Sequence, residues 1–480
     1  MSVKTVLGIV LFLCGCGKLN CFGEELPRIS DFLSQSQASR YYGGLLPIYE
    51  IGDRYYWQIA DTLYGRDFLV TTTLLKGSAC QKRYSEQRYG YGGDRLDVCV
   101  FRLKKRGDDI LMLQPFMQDI VHGNNRGLSN IVKQKGEGAV VECLKVVARD
   151  EYEALVDITD LLEKNESYFG LGRFEMDLGI GTYVPESSFL KEVCPAAKSL
   201  TIRFVRTCMS VSPFPDPSVK SEPTRWEYGV SLCLLDKIPM EGRMIDGRVG
   251  YFTNKVRNYD NAVYDKGECE FISRWKLVPH REQLEAYLGG DLVEPIKPIV
   301  FYIDKQIPTW LYPYVKRAVE AWQPAFERAG FKNAILARPE PMREEDSVFS
   351  VDNARYAYIS YKTSPLKNAY GPSSVDPRSG EILCSHIGIF NSISDLVQEL
   401  YFCQAGALDS LARRIVLPDT LLGKLIQYVV CHEVGHALGL KHNFRGSSVF
   451  STASLRDKEF LRNNGHGASI MDYMRFNYAV

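Results

Sequence analysis

The stretch that decides the organisation of this chain is His432-Glu433-Val434-Gly435-His436-Ala437-Leu438-Gly439-Leu440-Lys441-His442. Residues four apart lie on one face of a helix, so His432 and His436 can direct both imidazoles toward one point. Gly439 is predicted to end that helix, because glycine adopts a left-handed backbone without a steric cost. The turn would then bring His442 back toward the first two imidazoles.

Three converging imidazoles predict a metal site. Zn²⁺ is the expected ion, and a set of three histidines leaves the fourth tetrahedral position open, which is typical of catalytic zinc sites. Glu433 follows the first ligand and faces the same cavity, where it can hold and deprotonate a water molecule without binding the metal. A non-catalytic zinc site is the alternative interpretation, and such a site would not need a base.

The full pattern H-E-x-x-H-x-x-G-x-x-H, followed by Ser469-Ile470-Met471-Asp472-Tyr473, resembles the metzincin zinc endopeptidases. In that family a methionine turn lies beneath the metal, which implies that Met471 forms an apolar floor. In the astacin-like and serralysin-like branches, the tyrosine two residues later ligates zinc or stabilises the transition state. Tyr473 occupies this position, and a purely packing role for its ring is the alternative. Asn443 follows the third histidine and matches none of the best-known branches.

Three upstream segments, residues 297–304, 369–372 and 376–383, look like those of large secreted bacterial zinc-dependent metalloproteases. The resemblance implies a metzincin-like catalytic domain, in which a mixed twisted sheet is combined with helices and zinc lies on the active-site helix. Metzincins continue past the methionine turn into a further helix, whereas Val480 ends this chain seven residues after Tyr473. We therefore expect a chain truncated shortly after the methionine turn, with the C-terminal part of the catalytic domain missing.

The composition and the N-terminus predict an exported protein. Basic and acidic side chains number 58 each, so the composition indicates no basic face for nucleic acid. An apolar run from Val6 to Leu13 is too short to span a bilayer and predicts a signal peptide over residues 1–23, with no transmembrane helix. A lipoprotein signal with Cys16 as the lipidated residue is the alternative. The protein would then be secreted or periplasmic, or anchored on the outer surface.

The remaining chain divides by its hydrophobic pattern. Alternating segments such as residues 68–73 predict short antiparallel strands, in a small β-rich module at 24–76 and a β-rich domain of unknown role at 77–291. The pattern then changes to a continuous apolar run and a helical period, which predicts the catalytic domain at 292–480. In that domain residues 381–390 are expected to form the edge strand above the cleft. The predicted fold class is α+β.

The predicted function is that of a zinc-dependent endopeptidase, which hydrolyses peptide bonds of extended polypeptides with Glu433 as general base. The competing hypothesis is a secreted or surface-anchored binding protein with a non-catalytic zinc site. An intact Glu433 beside three intact ligands favours the enzyme. The preferred peptide bond cannot be deduced from the sequence.

Overall fold

The computed structural model describes residues 26–35, 39–78, 90–121, 126–164, 168–211, 220–259, 268–342, 344–364 and 366–479. The predicted signal peptide at 1–23 and the alternative lipid anchor at Cys16 lie outside these described residues. Within the described residues, no helix is both long enough and apolar enough to cross a bilayer.

The N-terminal half is built mainly from antiparallel strands. Apolar side chains alternate along each strand, so one face of every strand can enter a shared core. Trp57, Phe101 and Phe204 are fully buried in that core. The strands of this half are β1 Ser39–Tyr42, β2 Ile48–Ile51, β3 Arg54–Ala60, β4 Asp67–Lys76, β5 Arg95–Arg106, β6 Asp109–Gln114, β7 Asp119–Ile120, β8 Ala139–Arg149, β9 Glu153–Asp157, β10 Ile180–Tyr183, β11 Phe189–Pro195, β12 Ser199–Ser210, β13 Pro223–Leu234, β14 Thr253–Asn258 and β15 Glu268–Ile272.

One sheet, with twelve strands among the described residues, holds most of this half together. Its order is β1-β2-β3-β9-β8-β6-β5-β4-β13-β12-β10, with β11 also paired to β12. In its interior, Thr71 of β4 is opposite Val98 of β5 on one side and Ser231 of β13 on the other. The sheet therefore continues across residue 76, and the predicted division into two β-rich modules at that point stays a prediction. Strands β15, β14 and β7 form a second, smaller sheet.

The C-terminal half contains a six-stranded mixed sheet. Its strands are β16 Ile299–Ile303, β17 Ile335–Pro339, β18 Ala357–Lys362, β19 Ala369–Tyr370, β20 Ser373–Val375 and β21 Ile382–Phe390. The order is β17-β16-β18-β21-β19, with β20 also paired to β21. The first four strands of this order are parallel, and β19 and β20 run antiparallel to β21.

The prediction that residues 381–390 form the edge strand is wrong. Strand β21, which contains most of these residues, is buried along almost its whole length. The segment from β19 to β20 folds back against it and pairs with its outer side. The edge of the sheet on this side is therefore β19, and the continuous apolar character of β21 is that of an interior strand.

Helices are concentrated in the C-terminal half. Helix α5 (Tyr312–Glu320) packs against β16, β17 and helix α8 (Asp419–Ala437), and α8 packs against β21. The chain is interrupted just before Pro324: one helix ends at Glu320 and the next begins at Gln323, so that the proline lies in a first turn, where its missing N–H breaks no helical hydrogen bond. The helices are α1 Ile29–Ser34, α2 Arg126–Gly136, α3 Thr159–Glu163, α4 Leu284–Leu288, α5 Tyr312–Glu320, α6 Gln323–Arg328, α7 Ile393–Ala405, α8 Asp419–Ala437 and α9 Lys458–Asn464. A β-rich half followed by a mixed sheet with helices confirms the α+β class.

Buried polar contacts join the two halves. The carboxylate of Asp94, in the N-terminal half, accepts hydrogen bonds from Lys362 Nζ and Tyr370 Oη, and all three side chains are buried. A second ionic contact joins Arg203 Nε to Asp352 Oδ2 at 2.8 Å, with the Asp352 side chain fully buried. Because unpaired charges are costly in a protein interior, these contacts fix how the β-rich half sits on the six-stranded sheet.

Candidate metal centre

Helix α8 supplies two of the three predicted ligands. Its apolar side chains Ile426, Val430 and Val434 recur at a spacing of four and are fully buried, which directs this face of the helix into the core. Two tryptophan side chains stabilise the helical turns that carry the two histidines. Trp322 Nε1 donates to the Cys431 carbonyl at 3.0 Å, and Trp275 Nε1 donates to the Ala437 carbonyl at 2.9 Å. The helix that carries the ligands is therefore held at both ends of the ligand segment.

The end of α8 is a Schellman turn centred on Gly439. The Leu440 N–H donates to the Gly435 carbonyl at 3.0 Å, and the Gly439 N–H donates to the His436 carbonyl at 2.9 Å. Gly439 has φ +102°, and a Cβ there would lie 2.1 Å from the Ser273 carbonyl oxygen. Both the backbone conformation and the lack of space therefore require glycine at this position.

The three imidazoles converge. One ring nitrogen from each of His432, His436 and His442 lies within 4.8 Å of the others, and the Nε2 atoms of His436 and His442 are 3.2 Å apart. Two imidazoles are oriented by the backbone: His432 Nδ1 lies 2.7 Å from the Ile470 carbonyl oxygen, and His436 Nδ1 lies 2.7 Å from the Leu440 carbonyl oxygen. A carbonyl can only accept, so each Nδ1 carries the proton and each Nε2 presents a lone pair to the shared point.

This donor set fits Zn²⁺. Tetrahedral zinc with nitrogen ligands at about 2.0–2.1 Å places those nitrogens about 3.3 Å apart, close to the His436–His442 distance. Burial lowers the pKa of His432 to about 4, and burial also lowers the pKa of His436, so both rings are neutral at physiological pH. Burial raises the pKa of the adjacent Cys431 thiol to about 11, and Cys431 is not part of the cluster of converging side chains.

Met471 lies directly beneath the ligand helix. Its side chain is 3% exposed, and a Cβ built on Gly435 would lie 2.2 Å from the Met471 sulfur. Gly435 is thus the gap in the helix surface that admits the methionine between the two ligand turns. The Asn443 N–H donates to the Met471 carbonyl at 2.8 Å, which ties the methionine turn to the residue after the third histidine.

Glu433 and Tyr473 both line the cleft above the imidazoles. The cleft has a volume of about 740 Å³, and its lining also includes residues 368–372. The Tyr473 ring lies 4.6 Å from the His442 ring and 5.5 Å from the His432 ring, centroid to centroid, and the residue is 48% exposed. Burial of the hydroxyl, with a further contribution from the Glu433 carboxylate, raises the pKa of Tyr473, so its phenol is protonated. This position is not that of an aromatic side chain packed in the core.

Comparisons with known families agree with this geometry. A family model described as Met-zincin matches residues 414–480, which contain the three histidines and the methionine turn. The part of the chain that contains the predicted site is therefore similar to the Met-zincin family. Two further families, described only as domains of unknown function (DUF5118 and DUF5117), match residues 27–77 and 93–280. No curated protein and no solved structure matches the chain.

The family match confirms the resemblance to the metzincins for this segment and supports a zinc-dependent protease of the metallopeptidase class. All the residues predicted for the site are brought together in one place: the three histidines and Glu433 at the cleft, Met471 beneath it, and Tyr473 beside it. The chemical roles predicted for these residues stay predictions.

The sequence did not reveal every residue that lines the cleft. Phe252 and Lys441 line the cleft, and so do residues 368–372 at the start of the fold-back strand. Lys441 lies inside the histidine motif and could have been considered from its position alone. Phe252 carries no local signal, because it reaches the cleft through contacts with residues almost two hundred positions later in the chain.

Proposed function

We propose that this protein is a zinc-dependent endopeptidase that hydrolyses extended polypeptides. The observation that carries the proposal is the convergence of His432, His436 and His442 beside a cleft that Glu433 lines, with the Nδ1 atoms of His432 and His436 held by backbone carbonyls. The six-stranded mixed sheet with α8 against it is the catalytic framework in this proposal, as in a metzincin-like domain.

The chemistry follows from the groups around the cleft. A Zn²⁺ ion held by the three imidazoles would supply a Lewis acid for the scissile carbonyl and for the attacking water. Glu433 takes the proton from that water as it attacks, and then passes the proton to the leaving amine. Tyr473, whose phenol is protonated, donates a hydrogen bond to the oxygen that becomes negative in the transition state.

The proposed substrate is a polypeptide in an extended conformation. Strand β19 is the last strand of its sheet within the described residues, and residues 368–372 around it line the cleft. An extended chain can pair with such an edge through main-chain hydrogen bonds, which require a polypeptide but little particular sequence. The cleft is therefore suited to cleavage within chains.

The replacement Glu433→Gln tests the proposal. Peptide cleavage should fall by at least about a hundredfold, since a general base contributes on this scale, while the zinc content stays near one ion per chain. Glu285→Gln is the matched control, because Glu285 is an exposed helical glutamate that is not part of the cleft lining. Metal retained without any peptide cleavage by the unmodified protein would favour the binding-protein hypothesis instead.

We also propose that the protein is exported. The support is the sequence of residues 1–23 alone, so the test is direct: mass spectrometry of the protein from its native cells should find a mature N-terminus near Glu24, or a lipid on Cys16. An intact Met1 on protein from the cytoplasm would contradict both forms.

A further inference from the structure

The β-rich half contributes a wall to the cleft. Residues 250–252, which precede β14, run antiparallel to the turn after α8, with a bridge between Tyr251 and Leu440. Two backbone hydrogen bonds hold them there: the Lys441 N–H donates to the Gly250 carbonyl at 3.0 Å, and the Phe252 N–H donates to the Gly439 carbonyl at 2.8 Å. The segment thus lies against the turn that delivers the third metal ligand.

This pairing places two side chains on one face. Successive side chains alternate between faces of a strand, so Phe252 shares a face with Gly250, and Gly250 is the antiparallel partner of Lys441. A Cβ on Gly250 would be only 3.5 Å from the Lys441 Cβ, which confirms that these positions adjoin. Phe252 and Lys441 are therefore diagonal neighbours, and both line the cleft that contains Glu433.

Two phenylalanine side chains that contact the histidines are partly exposed to solvent. The Phe252 ring lies 5.7 Å from the His436 ring and is 43% exposed. Phe444 stacks on His442 at 5.3 Å and is 57% exposed. Exposed aromatic surface at a cleft is typical of a binding site for an apolar group, because a bound apolar group removes that surface from water.

Lys441 adds charge to this wall. The residue is exposed, and no salt bridge among the described residues includes it. An ammonium outside these salt bridges, in the same cleft lining as Phe252, can pair with a carboxylate on a bound chain. The wall therefore offers an apolar contact and a positive charge side by side.

We propose that Phe252 and Lys441 form a substrate subsite that selects a large apolar side chain adjoining an acidic one, close to the bond that is cleaved. The proposal rests on the proposed function, since it defines the substrate of the same cleft. It also gives the β-rich half a direct role: the half supplies Phe252, and without it the cleft lacks this wall.

Four fluorescent decapeptides that differ only in a central pair, Phe-Glu, Phe-Lys, Ala-Glu or Ala-Lys, test the subsite. Binding to the full-length Glu433→Gln variant, measured by fluorescence anisotropy, gives a readout that does not depend on turnover. The Phe-Glu peptide should bind about tenfold more tightly than Ala-Glu, from aromatic contact, and about threefold more tightly than Phe-Lys, from an exposed charge pair.

Two further replacements in the Glu433→Gln background separate the two contacts. Phe252→Ala should reduce the preference for Phe over Ala to less than twofold, while Phe402→Ala, at an exposed phenylalanine outside the cleft lining, should leave it unchanged. Lys441→Glu should reverse the preference from Phe-Glu to Phe-Lys, with zinc content measured in parallel to show that the metal centre is intact.

The outcomes distinguish this proposal from the proposed function. Cleavage of these peptides by the unmodified protein, with preferences that neither Phe252→Ala nor Lys441→Glu alters, would overturn the subsite and leave the endopeptidase standing. Loss of the preferences in binding and in cleavage would support both. Peptide binding with the predicted preferences but no cleavage by the unmodified protein would support the subsite and overturn the endopeptidase. Absence of both binding and cleavage would overturn both.

Discussion

The buried contact between Asp94 and Lys362 should make the β-rich half essential for the stability of the six-stranded sheet, and the replacement Asp94→Asn removes this ion pair. Asp94 accepts from Lys362 and Tyr370 through Oδ1, and from the Gly90 and Tyr91 N–H groups through Oδ2 at 2.6 and 2.7 Å. An asparagine has one acceptor oxygen. In either orientation, its amide NH₂ group would face two donors.

The energetic cost of Asp94→Asn follows from the hydrogen bonds and the ion pair that it removes. Removal of one partner from a buried ion pair costs about 3–5 kcal/mol, because the remaining charge is left uncompensated. Two donors that lose their acceptor contribute to that cost, at about 1–3 kcal/mol for each buried group. The exposed pair of Lys104 and Glu137, at 2.9 Å, is the matched control. Glu137→Gln should cost less than about 1 kcal/mol.

Urea unfolding followed by tryptophan fluorescence measures the difference. We expect Asp94→Asn to lower the free energy of unfolding by about 3–5 kcal/mol, and the double variant Asp94→Asn/Lys362→Met to recover part of the loss, because it leaves no buried charge. A loss for Asp94→Asn no larger than that for Glu137→Gln would refute the reasoning.

The pH dependence of the same variant gives a second check. Burial lowers the pKa of Lys362, and the Asp94 carboxylate opposes this change. Without Asp94 the folded state holds the proton of Lys362 more weakly, while the unfolded chain keeps the ordinary pKa. The unfolded state then binds more protons between the two pKa values, so the stability of Asp94→Asn should rise with pH. The loss in free energy of unfolding, relative to the unmodified protein, should be smaller at about pH 9 than at about pH 7.

Three further predictions concern single positions. Gly439→Ala should destabilise the protein by at least about 1–3 kcal/mol and weaken zinc binding, because of the positive φ and the contact with the Ser273 carbonyl. Thermal unfolding and zinc titration measure these effects, and unchanged stability and zinc affinity would contradict the described geometry of the turn. Burial holds the pKa of His386 well below its ordinary value of 6.5, so below about pH 6.5 the unfolded state binds one more proton than the folded state. The free energy of unfolding should therefore fall by up to about 1.4 kcal/mol per pH unit as the pH is lowered through this range. His386→Gln, which can keep the hydrogen bond to Ser360, should remove this pH dependence in urea unfolding at several pH values. Tyr473→Phe should lower kcat roughly ten- to a hundredfold with zinc affinity retained, and an unchanged kcat would assign the ring to packing.

Local patterns were sufficient where the structure depends on neighbouring residues. The spacing of the histidines predicted α8 and its end at Gly439, and the alternation of residues 68–73 predicted β4, because both signals lie within one turn or one strand. Helix α7 was not predicted, although Ile393, Val397, Tyr401 and Ala405 recur every four residues and are buried. That helix was within reach of the same reasoning.

Other features could not be deduced from local patterns. Strand β21 was expected at an edge, but the fold-back of residues 369–375 makes it an interior strand. Phe252 reaches the metal centre through pairing with residues near 440, and Asp94 reaches Lys362 across 268 positions. Such contacts depend on which distant segments pair, and neither composition nor periodicity specifies that choice.

The position of β4 has a consequence for how the N-terminal half of this chain can be divided. β4 belongs to the segment matched by the first family of unknown function, residues 27–77, yet both of its sheet neighbours, β5 and β13, belong to the second, residues 93–280. Neither segment can keep its half of the hydrogen-bonded ladder alone, because separation would expose two strand edges and the shared apolar core. In this chain the two matched segments therefore share one sheet, and we expect that removal of either segment would leave the other without its partner strands.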